Sequence, residues 1–228
     1  MTNIVRNIPN ALSLLNLLLG VYAIKLGFEG ALVKAGYLLL LGAFLDFLDG
    51  FAARLLQASS DLGKQLDSFA DFTSFGLASA FLVYHTYIYF DFSGPILALP
   101  LLLVLSATWR LAKFNISEQS TTFKGLPSTL SGIFVASLPI VFEDNRLGID
   151  FSREQIFWIL TASILFLSVA MVSPLPLRSL KTKSLNWQSK RLPWGVLLVL
   201  FALVVFLGFL AFPLFIVVYV LLSLLQHT

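Results

Sequence analysis

Eight apolar segments of about 20 residues each constrain the fold of this chain more than any other feature. The hydrocarbon core of a bilayer is about 30 Å thick, so a helix needs about 20 apolar residues to cross it. Charged residues make up only 12% of the 228 residues. The sequence therefore predicts an all-α fold, a polytopic transmembrane helical bundle. The expected spans are 9–28, 32–56, 62–90, 95–114, 126–142, 154–173, 193–210 and 212–226.

The spacing of these spans leaves no room for a soluble domain between them. We therefore expect one integral-membrane domain over residues 1–228. It would comprise a core bundle over about 8–175 and a C-terminal helical hairpin over about 193–226, which turns near Pro213. The chain has no cysteine, which excludes a disulfide framework and thiolate metal sites. A net charge of +3 is too small to indicate a nucleic-acid partner.

The distribution of lysine and arginine predicts the orientation in the membrane. With eight spans, one side holds 11 of the 15 basic residues, among them Arg6, Arg54 and the basic linker 178–191. Cytoplasmic loops carry an excess of lysine and arginine. We therefore expect a protein of the inner (cell) membrane. Both termini, and the end of the second helix at Arg54, are expected to face the cytoplasm. The linker itself is expected to lie on anionic lipid.

Two of the predicted helices carry an acidic cluster, although carboxylates inside a membrane are costly. The second helix places four residues on one face by their i, i+3, i+4, i+7 spacing: Asp46, Asp49, Gly50 and Ala53. The third helix does the same at i, i+4, i+8 with Gly63, Asp67 and Asp71. A short loop joins the two helices, so they run antiparallel. Their acidic faces can meet and bring four carboxylates into one pocket.

Four neighbouring carboxylates cannot all stay ionised without compensating positive charge. They can be protonated, pair with bases or bind cations, and the local bases Arg54 and Lys64 lie at helix ends. Oxygen ligands suit hard ions such as Mg²⁺ or Mn²⁺, and paired ions are common in phosphoryl chemistry. We therefore expect two divalent cations. The small residues beside the carboxylates would let a bulky ligand approach the helix backbone. Arg54 could then donate hydrogen bonds to a phosphate oxygen of that ligand.

Two other interpretations of the cluster remain open. Glycine and alanine at helical spacing in membranes usually mark close helix packing. Intramembrane acidic residues also line ion or proton pathways. The confinement of these carboxylates to two helices near one face of the membrane weighs against a pathway.

The chain resembles a known family over this cluster. Residues 46–71 fit D-x2-D-G-x2-A-R-x8-G-x3-D-x3-D without gap or mismatch. That pattern is the signature of the CDP-alcohol phosphotransferases, integral membrane enzymes that make phospholipids. Further segments resemble the phosphatidylserine synthase branch of that family: 8–20, 66–80, 109–116, 123–132 and 171–181. Ser13, Ser79 and Lys113 depart from the branch pattern, which has threonine, proline and arginine there.

The resemblance implies transfer of a phosphatidyl group from CDP-diacylglycerol to L-serine, giving phosphatidylserine and CMP. Glycerol 3-phosphate and inositol phosphate are the alternative acceptors. The expected metal ligands are Asp46, Asp49, Asp67 and Asp71, and Asp71 is also the expected general base by its place in the motif. The residues expected to bind CDP-diacylglycerol are Gly50, Ala53, Arg54, Ser60 and Gly63. A homodimer is expected.

Recognition of serine requires a cation for its carboxylate. Arg110 and Lys113 lie near the predicted cytoplasmic end of the fourth helix, with Asn115 close by. We expect these three residues to bind the acceptor. The alternative explanation is that the two basic residues only flank a span, as the positive-inside rule requires.

Overall fold

A computed structural model describes residues 7–116, 125–143, 148–174, 203 and 206–225. These ranges form helices and contain no strand. Short 3₁₀ turns at Pro95–Ala98 and Gly208–Leu210 precede the fourth and the last helix. The helices are α1 (Ile8–Phe28), α2 (Leu32–Leu55), α3 (Asp61–Tyr89), α4 (Leu101–Ile116), α5 (Ser128–Glu143), α6 (Arg153–Val172) and α7 (Ala211–Leu225).

The helices agree with the first six expected spans to within a few residues, apart from a later start for α4. Four segments are long and apolar enough to cross a membrane: α1, α3, α6, and α4 together with its preceding turn. The 24 residues of α2 also suffice in length, but they include four charged ones. The expected count of eight spans is not confirmed. The predicted span 193–210 falls mostly outside the described residues, as does the linker 178–191.

Pro213 itself is helical, so the expected turn does not lie at this residue. Pro213 is the third residue of α7, where a proline is tolerated because the first-turn N–H groups have no partner inside the helix. A 3₁₀ turn at Gly208–Leu210 directly precedes α7, and Gly208 has a φ of 58°. Glycine adopts this left-handed conformation readily because it has no Cβ.

The third helix changes its winding directly after the last signature aspartate. Residues Asp61–Asp71 are α-helical, Phe72–Ala78 form a π-helix, and Ser79–Tyr89 are α-helical again. Ser79 Oγ donates to the carbonyl of Ser74, five residues earlier. Short π-helical segments inside α-helices are rare and often mark functional sites. The wider turn sets the register of α3 beyond Asp71.

Small residues let the helices that carry the acidic cluster pack closely. A Cβ on Gly36 of α2 would collide with the backbone carbonyl of Ala136 in α5. A Cβ on Gly20 of α1 would collide with Ser74 of the π-helix. As a result α2 is packed between α1 and α5, and α3 lies against α1. The acidic faces of α2 and α3 therefore meet beneath the N-terminal ends of α1 and α5.

Candidate active site

Three of the four signature aspartates converge on one point. Asp46 and Asp49 of α2 and Asp67 of α3 each offer a carboxylate oxygen, and these oxygens lie within 4.8 Å of one another. Asp49 is 5% exposed, whereas Asp46 and Asp67 are partly buried. The predicted meeting of the acidic faces of α2 and α3 is thus present in the structure.

Asp71 stands next to this trio but is not one of its members. Its Oδ2 accepts a hydrogen bond of 3.2 Å from Ser128 Oγ, the first residue of α5. Its Oδ1 is buried and has no hydrogen-bond partner among the described residues. The two oxygens of this carboxylate are therefore in different environments, one held by a hydroxyl and one available.

Hydroxyl groups from outside the signature also donate hydrogen bonds to the two carboxylates of α2, Asp49 and Asp46. Ser13 of α1 donates a hydrogen bond of 2.6 Å to Asp49 Oδ2. Thr129 of α5 donates one of 3.0 Å to Asp46 Oδ2. Hydrogen bonds of this kind orient a carboxylate ligand and tune the metal that it binds. Nothing in the sequence pattern marks Ser13, Ser128 or Thr129 as site residues, because serine and threonine are also common packing residues in membrane helices.

Ser128 connects Asp71 to the positively charged side chain of Arg110 by hydrogen bonds. Arg110 Nη1 of α4 donates a hydrogen bond of 2.8 Å to Ser128 Oγ. The Nε of the same guanidinium is buried without a hydrogen-bond partner among the described residues. Arg110 therefore faces the carboxylate cluster, whereas Lys113 is exposed. Positive-inside flanking would explain Lys113, but it does not explain an inward-facing arginine.

Asn115 ties the end of α4 to α3 beside the trio. Its Nδ2 lies 3.0 Å from Ser68 Oγ, and the Ser68 hydroxyl lies 3.2 Å from Asn115 Oδ1. Ser68 is the neighbour of Asp67 in the chain. The three residues expected to bind the acceptor thus occupy different places: Arg110 faces inward, Lys113 is exposed and Asn115 contacts α3.

The two signature glycines have different surroundings. Apart from the backbone of α2 itself, no heavy atom of the described residues lies within 4 Å of the position that a Cβ on Gly50 would take, so this face of α2 is open beside Asp49 within the described part of the chain. A Cβ on Gly63 would lie 2.9 Å from Asn10 Oδ1 and 3.1 Å from Ser60 Oγ. Ser60 caps α3 by accepting a hydrogen bond of 3.0 Å from the N–H of Gly63. Open space for a ligand therefore exists at Gly50, while Gly63 packs against polar side chains.

Ala53 and Arg54 continue the α2 face toward the helix end. Ala53 is partly buried and Arg54 is exposed in the last turn. Arg54 is therefore accessible about one turn beyond Asp49 and Gly50.

The donor set of the trio fits a hard divalent cation. It consists of carboxylate oxygens only, from two helices, and such ligands suit ions of the Mg²⁺ and Mn²⁺ type. Hydroxyl donors already orient two of the three carboxylates. The buried Oδ1 of Asp71, which has no hydrogen-bond partner among the described residues, adds a further anionic atom that needs a compensating partner.

The long apolar helices and the carboxylate site define an integral membrane protein with a cluster of acidic side chains inside its helical bundle, suited in its donor atoms to a divalent cation. A family model described as CDP-alcohol phosphatidyltransferase matches residues 6–226. The chain belongs to this family and is an enzyme of it. Membership accounts for the intramembrane carboxylates as part of an enzyme site, in place of an ion pathway.

The chain is also similar to individual proteins whose activities are described. The chain is 36% identical to the CDP-diacylglycerol–serine O-phosphatidyltransferase of Bacillus subtilis over 144 residues, covering 62% of this chain and 80% of that protein. It is 30% identical over 185 residues to the Helicobacter pylori enzyme of the same description, covering 80% and 75%. It is 32% identical over 160 residues to archaetidylserine synthase of Methanothermobacter thermautotrophicus, covering 69% and 68%.

Proposed function

We propose that this protein transfers a phosphatidyl group from CDP-diacylglycerol to L-serine, giving phosphatidylserine and CMP. The observation that carries the proposal is the convergence of Asp46, Asp49 and Asp67 within the complete family signature. The acceptor is serine because the bacterial relatives are described as CDP-diacylglycerol–serine O-phosphatidyltransferases. The Methanothermobacter thermautotrophicus relative is described as an archaetidylserine synthase.

The carboxylates would hold two divalent cations, Mg²⁺ or Mn²⁺. Asp46, Asp49 and Asp67 would form the common centre, and Asp71 would complete it from the side of α5. Such ions neutralise a pyrophosphate and stabilise the departing CMP. Of the four residues, Asp71 has an oxygen that no described residue occupies, which suits it for a second task.

Asp71 would act as the general base. The serine hydroxyl oxygen forms a bond to the phosphatidyl phosphorus while the bond to the CMP oxygen breaks, and the hydroxyl proton passes to Asp71 Oδ1. A carboxylate base must lie within hydrogen-bond reach of this proton. The assignment gives the buried Oδ1 the partner that it lacks.

The CDP group would lie along the exposed part of the α2 face. Gly50 offers the open space, Ala53 keeps the next turn narrow, and Arg54 would contact a phosphate oxygen. Ser60 and Gly63 would close the site from the start of α3. The Ser60 oxygen accepts from Gly63 in the structure, so its proton remains available to a ligand.

The acceptor site would use Arg110, Lys113 and Asn115 at the end of α4. The buried Nε of Arg110 has no partner among the described residues, and this supports a role in binding the serine carboxylate, because a buried guanidinium N–H requires an acceptor. Lys113 would attract the anion from solvent, and Asn115 would hold α4 against α3.

The proposal extends to topology and assembly. One domain over residues 1–228 would lie in the inner membrane, with both termini and the active site facing the cytoplasm, where serine is available. The excess of basic residues on that side supports this orientation. The protein would form a homodimer.

A CMP-release assay tests the activity. Purified protein is incubated with CDP-diacylglycerol, Mg²⁺ or Mn²⁺, and in separate reactions serine, glycerol 3-phosphate or inositol phosphate. We expect CMP and phosphatidylserine with serine and background release with the others. CMP release with glycerol 3-phosphate or inositol phosphate alone would assign the same chemistry to another acceptor.

A further inference from the structure

We infer that Ser128 is a positioning residue that aligns the base Asp71 through a directed hydrogen-bond relay from Arg110. This inference rests on the proposed function, because it concerns the same reaction. Ser128 lies outside the family signature, 57 residues from Asp71, and is fully buried. It is the first residue of α5.

The direction of the relay follows from the chemistry of its members. A guanidinium has only donors, and an ionised carboxylate has only acceptors. Ser128 Oγ accepts from Arg110 Nη1 at 2.8 Å, so its single proton is left for Asp71 Oδ2 at 3.2 Å. A hydrogen bond that the hydroxyl accepts from a cation also makes it a stronger donor.

The relay fixes which oxygen of Asp71 is available. With Oδ2 held by Ser128, the carboxylate cannot rotate freely, and Oδ1 stays buried and unpartnered by described residues. Oδ1 is the atom that the proposed function assigns as proton acceptor. Ser128 would therefore act on the reaction by orientation, without touching the substrate.

The backbone around Ser128 anchors it firmly. The N–H of Leu126 donates a hydrogen bond of 2.9 Å to the carbonyl of Ala170 near the end of α6. Gly125 has a φ of 79°, and a Cβ there would collide with the carbonyl of Met171. The start of α5 is thus attached to α6, and its hydroxyl is held in place between α3 and α4.

Ser131 provides a matched control. It lies three residues further along α5, is 1% exposed, and its Oγ has no hydrogen-bond partner among the described residues. Replacing either serine by alanine removes one buried hydroxyl from the same helix. Only the Ser128 variant breaks the relay.

The test compares kcat and the KM of each substrate at saturating metal. Ser128→Ala is expected to lower kcat about 10- to 100-fold, as loss of an orienting hydrogen bond typically does. The KM for CDP-diacylglycerol and for serine should stay within about threefold, since neither contacts Ser128. Ser128→Thr retains the hydroxyl and should recover most of the activity, while Ser131→Ala should match the wild type.

Ser128→Cys covers the case in which the alanine variant does not fold. A thiol fills nearly the same space but is a weak donor and acceptor, so kcat should fall as in the alanine variant. A kcat within twofold of wild type for the alanine or the cysteine variant overturns the inference. An equal fall of kcat in Ser131→Ala also overturns it. So does a Ser128 variant whose only change is a higher KM for serine. If wild-type protein releases no CMP with serine, the proposed function fails instead.

Discussion

Replacing Gly50 by alanine is expected to impair substrate use without destabilising the fold. Gly50 lies inside α2, and no described residue outside this helix has a heavy atom within 4 Å of the position of an added Cβ. Glycine inside a helix is less favourable than alanine by roughly 0.5–1 kcal/mol, so the thermal unfolding midpoint should stay level or rise. If the CDP group occupies this space, one added methyl costs it about 1–3 kcal/mol, which lowers kcat/KM by about tenfold or more.

Gly36→Ala in the same helix is the matched control. It gains the same helix propensity, but its Cβ would collide with the Ala136 carbonyl and lie 3.3 Å from Ile140 side-chain atoms. Overpacking of this kind costs about 1–3 kcal/mol, so the unfolding midpoint should fall. Below that midpoint its kcat/KM for CDP-diacylglycerol should be close to wild type.

Two measurements on each purified variant decide the outcome. Thermal unfolding in detergent reports stability, and CMP release against CDP-diacylglycerol concentration reports kcat/KM at saturating serine and metal. The metal concentration for half-maximal activity is measured as well, because Gly50 adjoins Asp49 in the chain. If Gly50→Ala keeps kcat/KM within threefold of wild type, the open space beside Gly50 does not hold the substrate. If it lowers the midpoint more than Gly36→Ala does, the packing argument is wrong.

Three further predictions concern the carboxylates. Ser13→Ala removes the 2.6 Å hydrogen bond to Asp49 and should raise the metal concentration for half-maximal activity about 10- to 100-fold. Ser13→Thr keeps a hydroxyl and should return this concentration to the wild-type value. An unchanged metal titration in the alanine variant would contradict the orienting role of Ser13. Asp71→Asn should lower kcat by two orders of magnitude or more, because about 10²–10⁴-fold is typical of a general base; near-wild-type CMP release with Mg²⁺ or Mn²⁺ would exclude Asp71 as the base. Removal of divalent ions with a chelator should abolish CMP release, and re-addition of Mg²⁺ or Mn²⁺ should restore it; activity that persists without divalent ions would refute a metal-dependent reaction.

Much of the fold could be predicted because membrane helices are specified locally. A run of about 20 apolar residues must satisfy its own backbone hydrogen bonds, so each run is a helix wherever it packs. The bounds of α1, α2 and α6 accordingly lie within two residues of the expected spans. The expected turn is placed near Pro213 because proline is read as a helix breaker, but the first turn of a helix accepts proline and Pro213 is helical.

The sequence by itself determined the helical bundle and the two acidic faces, because helical periodicity alone places Asp46 beside Asp49 and Asp67 beside Asp71. The tertiary structure decided which atoms meet. Ser13 and Asp49 are 36 residues apart, and Thr129 and Asp46 are 83 apart. A hydrogen bond requires two particular atoms about 3 Å from each other. That distance depends on how α1 and α5 pack on α2 and α3, and on the π-helix Phe72–Ala78, none of which local sequence periodicity encodes.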